Sequence, residues 1–395
     1  MFPYFLKCIV FFVFYNSIFL VYSLKHVKIK FYLLILFFFL PLSAWPWGGH
    51  YLITTYATEK VTWLNQFHEI RVTPFQDFLS KAFSKDFTQK DFLNQYQLNS
   101  TYKIDYKHPL NGTIDARSIL IAHTDEPDWG MDQNMDISPD QKFMGGTIGP
   151  TSQAFRHLYW KTWSLKAPWR TFHIPPREMG QALRRAQIFY DLAQTAFEAK
   201  QPYWAFRFLA WSLHYIQDLG QPFHSSQLLT PKFIDWNSIF NFNQLIKRTT
   251  QIISNYHFLY EDYVVYKLEE EAKHPSDTPF ISILKKDTFT YSSSAYLIAR
   301  HSADTSNRLS YSIGEACFTF FGKRFLESAI DVPHSPKGTF PMKPFDETKE
   351  LSSAKKHLFI QNTAQSLEKT GFYTRSLLEL AKEEFLSTDL KNLEK

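Results

Sequence analysis

The stretch of this 395-residue sequence best suited to chemistry is H-Y-I-Q-D-L-G-Q-P-F-H, residues 214–224. His214 and Asp218 are four residues apart, which on a helix puts both side chains on one face. His224 follows just past the expected helix end, where Pro222 sets the turn. Further on, His257 and Glu261 repeat the i, i+4 spacing. A lone H-x3-D is more often a buried histidine held by an aspartate. The second pair turns the reading toward metal. The two pairs and His224 give five imidazole or carboxylate donors without a thiolate, a set that suits zinc. Cysteine could not supply such a site: Cys8 lies near the N-terminus and Cys317 is alone in the rest of the chain, so no disulfide is expected there either.

Further candidates lie on less regular stretches. Asp125 stands in I-A-H-T-D-E-P-D-W and His157 in S-Q-A-F-R-H. Trp45 opens W-P-W-G-G-H, which ends in His50. Trp45 matters because of what precedes it. Lys25, Lys28 and Lys30 form a basic start, Phe31 to Leu40 an apolar run too short for a comfortable membrane span, and Pro41, Ser43 and Ala44 a cleavage-site pattern. A secretory signal over residues 1–44, cut after Ala44, is the expectation. Its product would begin at Trp45, whose free amine and carbonyl can chelate a metal with His50. A second apolar run at 8–22 fits either a later translation start, near Leu24 or Val27, or a two-segment membrane anchor.

Charge narrows the choice of partner. The chain carries 43 Lys+Arg and 38 Asp+Glu, a net charge of +5. Four of the lysines and no acid fall in residues 1–44, so the remainder holds 39 basic and 38 acidic residues. A generally cationic surface of the kind that binds nucleic acid without specificity is excluded, though a local basic groove is not. With 45% hydrophobic and 18% aromatic residues, the chain is not a disordered one.

The elements that must carry these residues read as helices. Apolar residues at 3–4 spacing mark 177–200, after Pro175 and Pro176, and 202–219, opened by Pro202 and closed by Gly220 and Pro222. Residues 257–272, 293–330 and 352–387 follow the same pattern, while 129–153 and 331–347 read as long loops. Strand-like alternation is scarce, and no repeat with a period of 20–50 residues is present. The expectation is an all-α fold: one large, bundle-like domain over residues 45–395 with long loop insertions.

In order, W-x4-H at a processed N-terminus, then D, H, H-x3-D-x5-H and H-x3-E resemble the zinc-dependent phospholipase C and S1/P1 nuclease superfamily. The resemblance spans Trp45 to Glu261, and the Q-P before His224 belongs to it. It implies three zinc ions. Trp45, His50 and Asp218 would hold one. Asp125, His157, His214 and Asp218 would hold the second, with Asp218 bridging. His224, His257 and Glu261 would hold the third. Asp125 would also act as general base. The resemblance is closer to the bacterial secreted phosphatidylcholine-type phospholipase C branch, which has H-x3-E where the nuclease branch has H-x3-D. The implied substrate is a phospholipid at a membrane surface, cleaved at the glycerol side of its phosphodiester. Nucleic acid is the substrate only under the alternative of a single-strand nuclease. A non-enzymatic membrane-binding protein with a structural metal site is the alternative outside enzymes.

Several features have plainer readings. Between His224 and His257, residues Phe233, Trp236, Ile239 and Phe240 would share one helical face, able to pack on the core or to dock at lipid. Asp125, Asp128, Asp132, Asp136 and Asp140 form an acidic run that could hold calcium, but it lacks EF-hand spacing and is expected to be a solvated loop. His123 is a candidate partner behind a ligand rather than a ligand. Trp129, Trp160, Trp163 and Trp169 could cage a choline cation, but most are expected in the core.

Overall fold

The computed structural model describes residues 49–143, 151–161, 164–167, 170–173, 178–274, 278–334 and 352–393. The leader, Trp45, Trp163 and Trp169 lie outside the described residues. Among those residues the fold is all-α, as expected. Its helices are α1 (His50–Ala57), α2 (Phe75–Ala82), α3 (Gln89–Gln95), α4 (Ala116–His123), α5 (Ser152–His157), α6 (Ala182–Glu198), α7 (Pro202–Gly220), α8 (Pro222–Ser225), α9 (Phe242–Lys273), α10 (Pro279–Leu284), α11 (Ala295–Phe321) and α12 (Ser353–Leu393). Strands among the described residues occur as short antiparallel pairs, such as Ile70–Arg71 against Thr113–Ile114 and Ser164–Ala167 against Arg170–His173. None of the described helices is long and apolar enough to cross a membrane.

Helix α7 organises the rest. Tyr203, Trp204, Phe206, Phe208 and Trp211 cover its circumference rather than a stripe, and it is buried from Tyr203 to Gly220. A helix apolar all round belongs inside a protein. Its polar residues, Arg207, His214, Gln217 and Asp218, are therefore buried too and must find partners. Helix α6 returns antiparallel to it after a three-residue link in which Lys200 adopts φ +55°. Helices α11 and α12 pack on its other sides. At its C-terminal end, Ser306 of α11 and Ser366 of α12 both donate to the Gly220 carbonyl at 3.0 Å. They satisfy an acceptor that a helix end leaves open. Gly220 itself has to be glycine, because a Cβ there would lie 2.2 Å from Thr370 Oγ1.

Two hydrophobic clusters meet at this end. One gathers α7 with α6, α2, α3 and α4, and the other gathers Phe223 with Ile253, Tyr256, Tyr260 and Phe320. The chain crosses from the first to the second between Leu219 and Phe223, and the candidate ligands flank that crossing.

Two loop readings change. Residues 233–240 are not a helix: single 3-10 turns at Pro231–Phe233 and Trp236–Ser238 break the segment, and α9 begins only at Phe242. Phe233 is fully buried, whereas Trp236, Ile239 and Phe240 are 55%, 40% and 100% exposed, so the four do not share a face. The acidic run is solvated only in part: Asp136 is exposed, but Asp132 is fully buried and the Asp128 side chain is 6% exposed. Arg156 and Arg185 supply the charge that lets Asp132 stay inside.

Candidate metal centre

The local sequence explains how each element delivers its side chains. Asp115 caps α4, its carboxylate accepting from Ser118 N at 2.9 Å. Beyond α4, Pro127 and a 3-10 turn over Glu126–Asp128 fold the chain back, with Asp125 as the turn's N-cap residue. Residues i and i+3 of a 3-10 turn eclipse each other, so Asp125 and Asp128 point the same way. Thr151 caps the short helix α5, which ends on His157. His214 and Asp218 lie on the last turns of α7, His224 on the single turn α8, and His257 and Glu261 on the middle of α9.

These residues converge. Asp218 is at the centre: its Oδ2 is 2.9 Å from His157 Nδ1 and 3.3 Å from His214 Nε2. Its Oδ1 is 3.5 Å from both His50 Nε2 and His224 Nδ1. Among the described residues, three groups of side chains could hold a metal ion: His50, Asp128 and His214; His157, His214 and Asp218; and His224, His257 and Glu261. Within each group the ligand atoms lie within 4.8 Å of one another.

The orientation of the imidazoles is set from behind. His50 Nδ1 faces Gln217 Oε1 at 3.0 Å, and the Gln217 amide nitrogen in turn donates to Thr54 Oγ1. His214 Nδ1 donates to the Thr124 carbonyl at 2.8 Å, and His224 Nδ1 to the His157 carbonyl at 2.9 Å. Carbonyl oxygens only accept, so these Nδ1 atoms carry the proton and each Nε2 offers its lone pair to the centre. His257 is different: it stacks on Phe223 with ring centroids 5.2 Å apart and 4° between planes, and its Nε2 lies 2.8 Å from Glu261 Oε1.

The donor set fits a metal on two grounds. First, His50 Nε2, Asp218 Oδ1 and His257 Nδ1 are buried without a hydrogen-bond partner. Buried polar atoms are seldom left so, and two of them, His50 Nε2 and Asp218 Oδ1, face each other at 3.5 Å. Second, the electrostatics call for a cation. Burial pushes the Glu261 carboxyl up to about 8 and the His257 imidazole down to about 3. Burial also raises the Asp125 carboxyl, with Asp128 adding to the effect and His50 opposing it. A bound divalent ion would supply the missing positive charge. Around Asp218 charge is already matched: burial opposes its ionisation, but His214, His224 and His157 hold its pKa far below the usual range. His214 in turn is raised well above its ordinary value, burial being outweighed by Asp128 and Asp218.

The sequence-derived candidates fare unevenly. His50, His157, His214, Asp218, His224, His257 and Glu261 all come together. Asp125 lies beside them, its Oδ1 accepting from Tyr51 N at 3.3 Å, but it is not in any of the close groups. Trp45 lies outside the described residues. Asp128 was missed: its Oδ1 is 3.3 Å from His214 Nε2 and 3.4 Å from His157 Nδ1. The signal for it was the i, i+3 spacing from Asp125 across Pro127. His123 is no ligand; its Nδ1 meets Glu126 at 2.9 Å and its Nε2 the Tyr203 hydroxyl at 3.1 Å. Trp160 is core, and the exposed Trp129 ring already carries Lys107 Nζ at 4.0 Å from its centroid.

No protein-family model matches the chain, and no curated protein matches it significantly.

Proposed function

We propose that this chain is a secreted, zinc-dependent phosphodiester hydrolase of the phospholipase C type. In this reading it cuts the glycerol-side phosphodiester of a phospholipid to give diacylglycerol and a phosphorylated head group. The observation that carries the reading is the convergence of His50, His157, His214 and Asp218, with lone pairs turned inward by acceptors behind them. The third group, His224, His257 and Glu261, coincides with the set the sequence resemblance implies. Its H-x3-E form and the near-neutral charge beyond residue 44 favour lipid over nucleic acid.

Three zinc ions, when bound, would polarise a phosphoryl oxygen and make bound water acidic enough to attack at neutral pH. His157, His214, Asp218 and Asp128 would hold one, His50 and Asp218 with the Trp45 terminus a second, and His224, His257 and Glu261 the third. Asp125 takes the proton from the attacking water. The Tyr51 amide fixes one of its oxygens, and burial raises its proton affinity toward that of a working base. As the new P–O bond forms, the bond to the glycerol oxygen breaks, that oxygen takes a proton from solvent water, and Asp125 gives its own back to solvent.

The test is to incubate the zinc-loaded protein with phosphatidylcholine vesicles and, separately, single-stranded DNA. Diacylglycerol release that is lost in Asp125→Asn at unchanged zinc content supports the reading. Digestion of the DNA alone to 5′-phosphates would replace it with the nuclease reading. Vesicle binding without hydrolysis in both wild type and Asp125→Asn would replace it with the non-enzymatic one. Intact mass of the exported protein tests the leader, with a chain beginning at Trp45 expected.

A further inference from the structure

Asp132 is a fully buried carboxylate outside the metal-binding groups and outside the three zinc-ligand sets the sequence resemblance implies. It ties together the three helices that bring His157 against His214. Arg156, next to His157 on α5, donates from Nη1 to Oδ1 at 2.6 Å. Arg185 on α6 donates from Nη2 to the same oxygen at 2.9 Å. The Tyr215 hydroxyl, next to His214 on α7, donates to Oδ2. Even its main chain is held, with Ser152 Oγ donating to the Asp132 carbonyl at 2.6 Å.

With both oxygens fixed in this way, Oδ2 lies 3.3 Å from His157 Nε2. The other group at that nitrogen is the Gln153 amide nitrogen at 3.1 Å, which has Asp128 Oδ1 as its own acceptor at 3.2 Å. His157 Nδ1, on the opposite edge of the ring, faces Asp218 Oδ2 and His214 Nε2. Ionised carboxylates can only accept, so Asp132 favours a proton on Nε2 as Asp218 favours one on Nδ1; once a cation takes the Nδ1 lone pair, the proton stays on Nε2 and Asp132 accepts it. Carboxylates that hold the far nitrogen of a ligating imidazole fix its orientation and raise its basicity.

We propose that Asp132 is a positioning residue for metal binding: through His157 Nε2 it sets the tautomer and tilt of an imidazole that no backbone carbonyl orients. This rests on the reading of the site as a metal centre. Asp132 touches neither substrate nor metal, and its effect is on the affinity of the His157, His214 and Asp218 group alone.

The experiment is a zinc titration of the full chain against a chromophoric chelator, with cobalt(II) absorption as a second readout of ligand geometry. In Asp132→Asn that has folded, by circular dichroism, one zinc site is expected to weaken by about 10- to 100-fold. The remaining sites should hold their affinity, and the cobalt spectrum should change. A merely structural Asp132 would lower the melting temperature and leave zinc affinity and the cobalt spectrum of the folded protein unchanged, which overturns the proposal. Should Asp132→Asn fail to fold because two buried guanidiniums lose their partner, Tyr215→Phe takes its place. It frees Oδ2 while keeping both arginine contacts, and a loss of at least about threefold at the same single site is expected. Unchanged affinity in folded Tyr215→Phe overturns the proposal equally. If wild-type protein binds no zinc at all, the metal-centre reading itself has failed, an outcome distinct from equal binding by wild type and variant.

Discussion

His157 Nδ1 and His214 Nε2 lie 3.0 Å apart, deep in the protein, with Asp218 Oδ2 within 3.3 Å of both. His214 Nδ1 is committed to the Thr124 carbonyl, so its Nε2 is the nitrogen turned to this meeting. Unprotonated, the two imidazole nitrogens and the carboxylate oxygen would repel one another at this separation. Against burial, Asp128 and Asp218 hold a proton on His214 well above its ordinary pKa, and a divalent cation would take the place of such protons. Metal binding should therefore stabilise the fold and release protons. Zinc at 100 times its Kd is expected to add about 2.7 kcal/mol. Thermal melts of chelator-treated protein with and without added zinc check this, and an unchanged melting temperature across the titration would count against a metal centre.

In the proposed three-zinc arrangement Asp218 would be shared by two ions and Glu261 would serve one, so the two should differ when neutralised. Asp218→Asn would then remove a ligand from two proposed zinc sites and is expected to lose more than one zinc per chain. Hydrolysis should fall by at least about 100-fold, the scale of a lost charge-stabilising group. Glu261→Gln should lose one zinc only. Metal analysis of both purified variants decides, and equal loss in the two would mean that Asp218 does not bridge.

Glu126 gives a pH dependence with a definite sign. Burial works against its ionisation, but Arg207, with His123 assisting, holds its carboxyl far below the usual range. Arg207 Nε donates to it at 2.9 Å, Trp211 Nε1 at 2.8 Å and the Tyr102 hydroxyl at 2.6 Å. A carboxyl whose folded pKa is depressed stabilises fully above its unfolded value, about 4.3, and loses that contribution as pH falls further. Glu126→Gln strands the buried Arg207 charge and should cost about 3–5 kcal/mol near neutrality. Urea midpoints of wild type and variant should converge below about pH 4.3. A gap that stays constant down to pH 3 would show that the pair does not act through its charge.

The 233–240 segment should separate by burial. Phe233 stacks on Tyr256 with ring centroids 4.4 Å apart, and Phe233→Ala is expected to cost about 3–5 kcal/mol. Phe240→Ser, at a fully exposed position, should change stability by no more than about 0.5 kcal/mol. If denaturant midpoints move equally for both, the two 3-10 turns are not the structure of this segment in solution.

Much of this centre could be read from the sequence, because much of it is local. A helix places residues i and i+4 on one face whatever surrounds it. The pairs His214 with Asp218 and His257 with Glu261 therefore declared themselves, and Pro202 and Gly220 marked the ends of the helix that carries the first. The all-α fold followed from the same period. What the sequence could not settle is what depends on closure over long separations. Gln217 meets His50 across 167 positions, and Arg185 meets Asp132 across 53. Asp128 and Asp132 read as solvated acids because an aspartate's burial depends on its partners. Those partners, two imidazoles for one and two guanidiniums for the other, reach them only when α5, α6 and α7 pack together. Spacing along the chain chose the donors, and the packing of helices chose which lone pairs they turn inward.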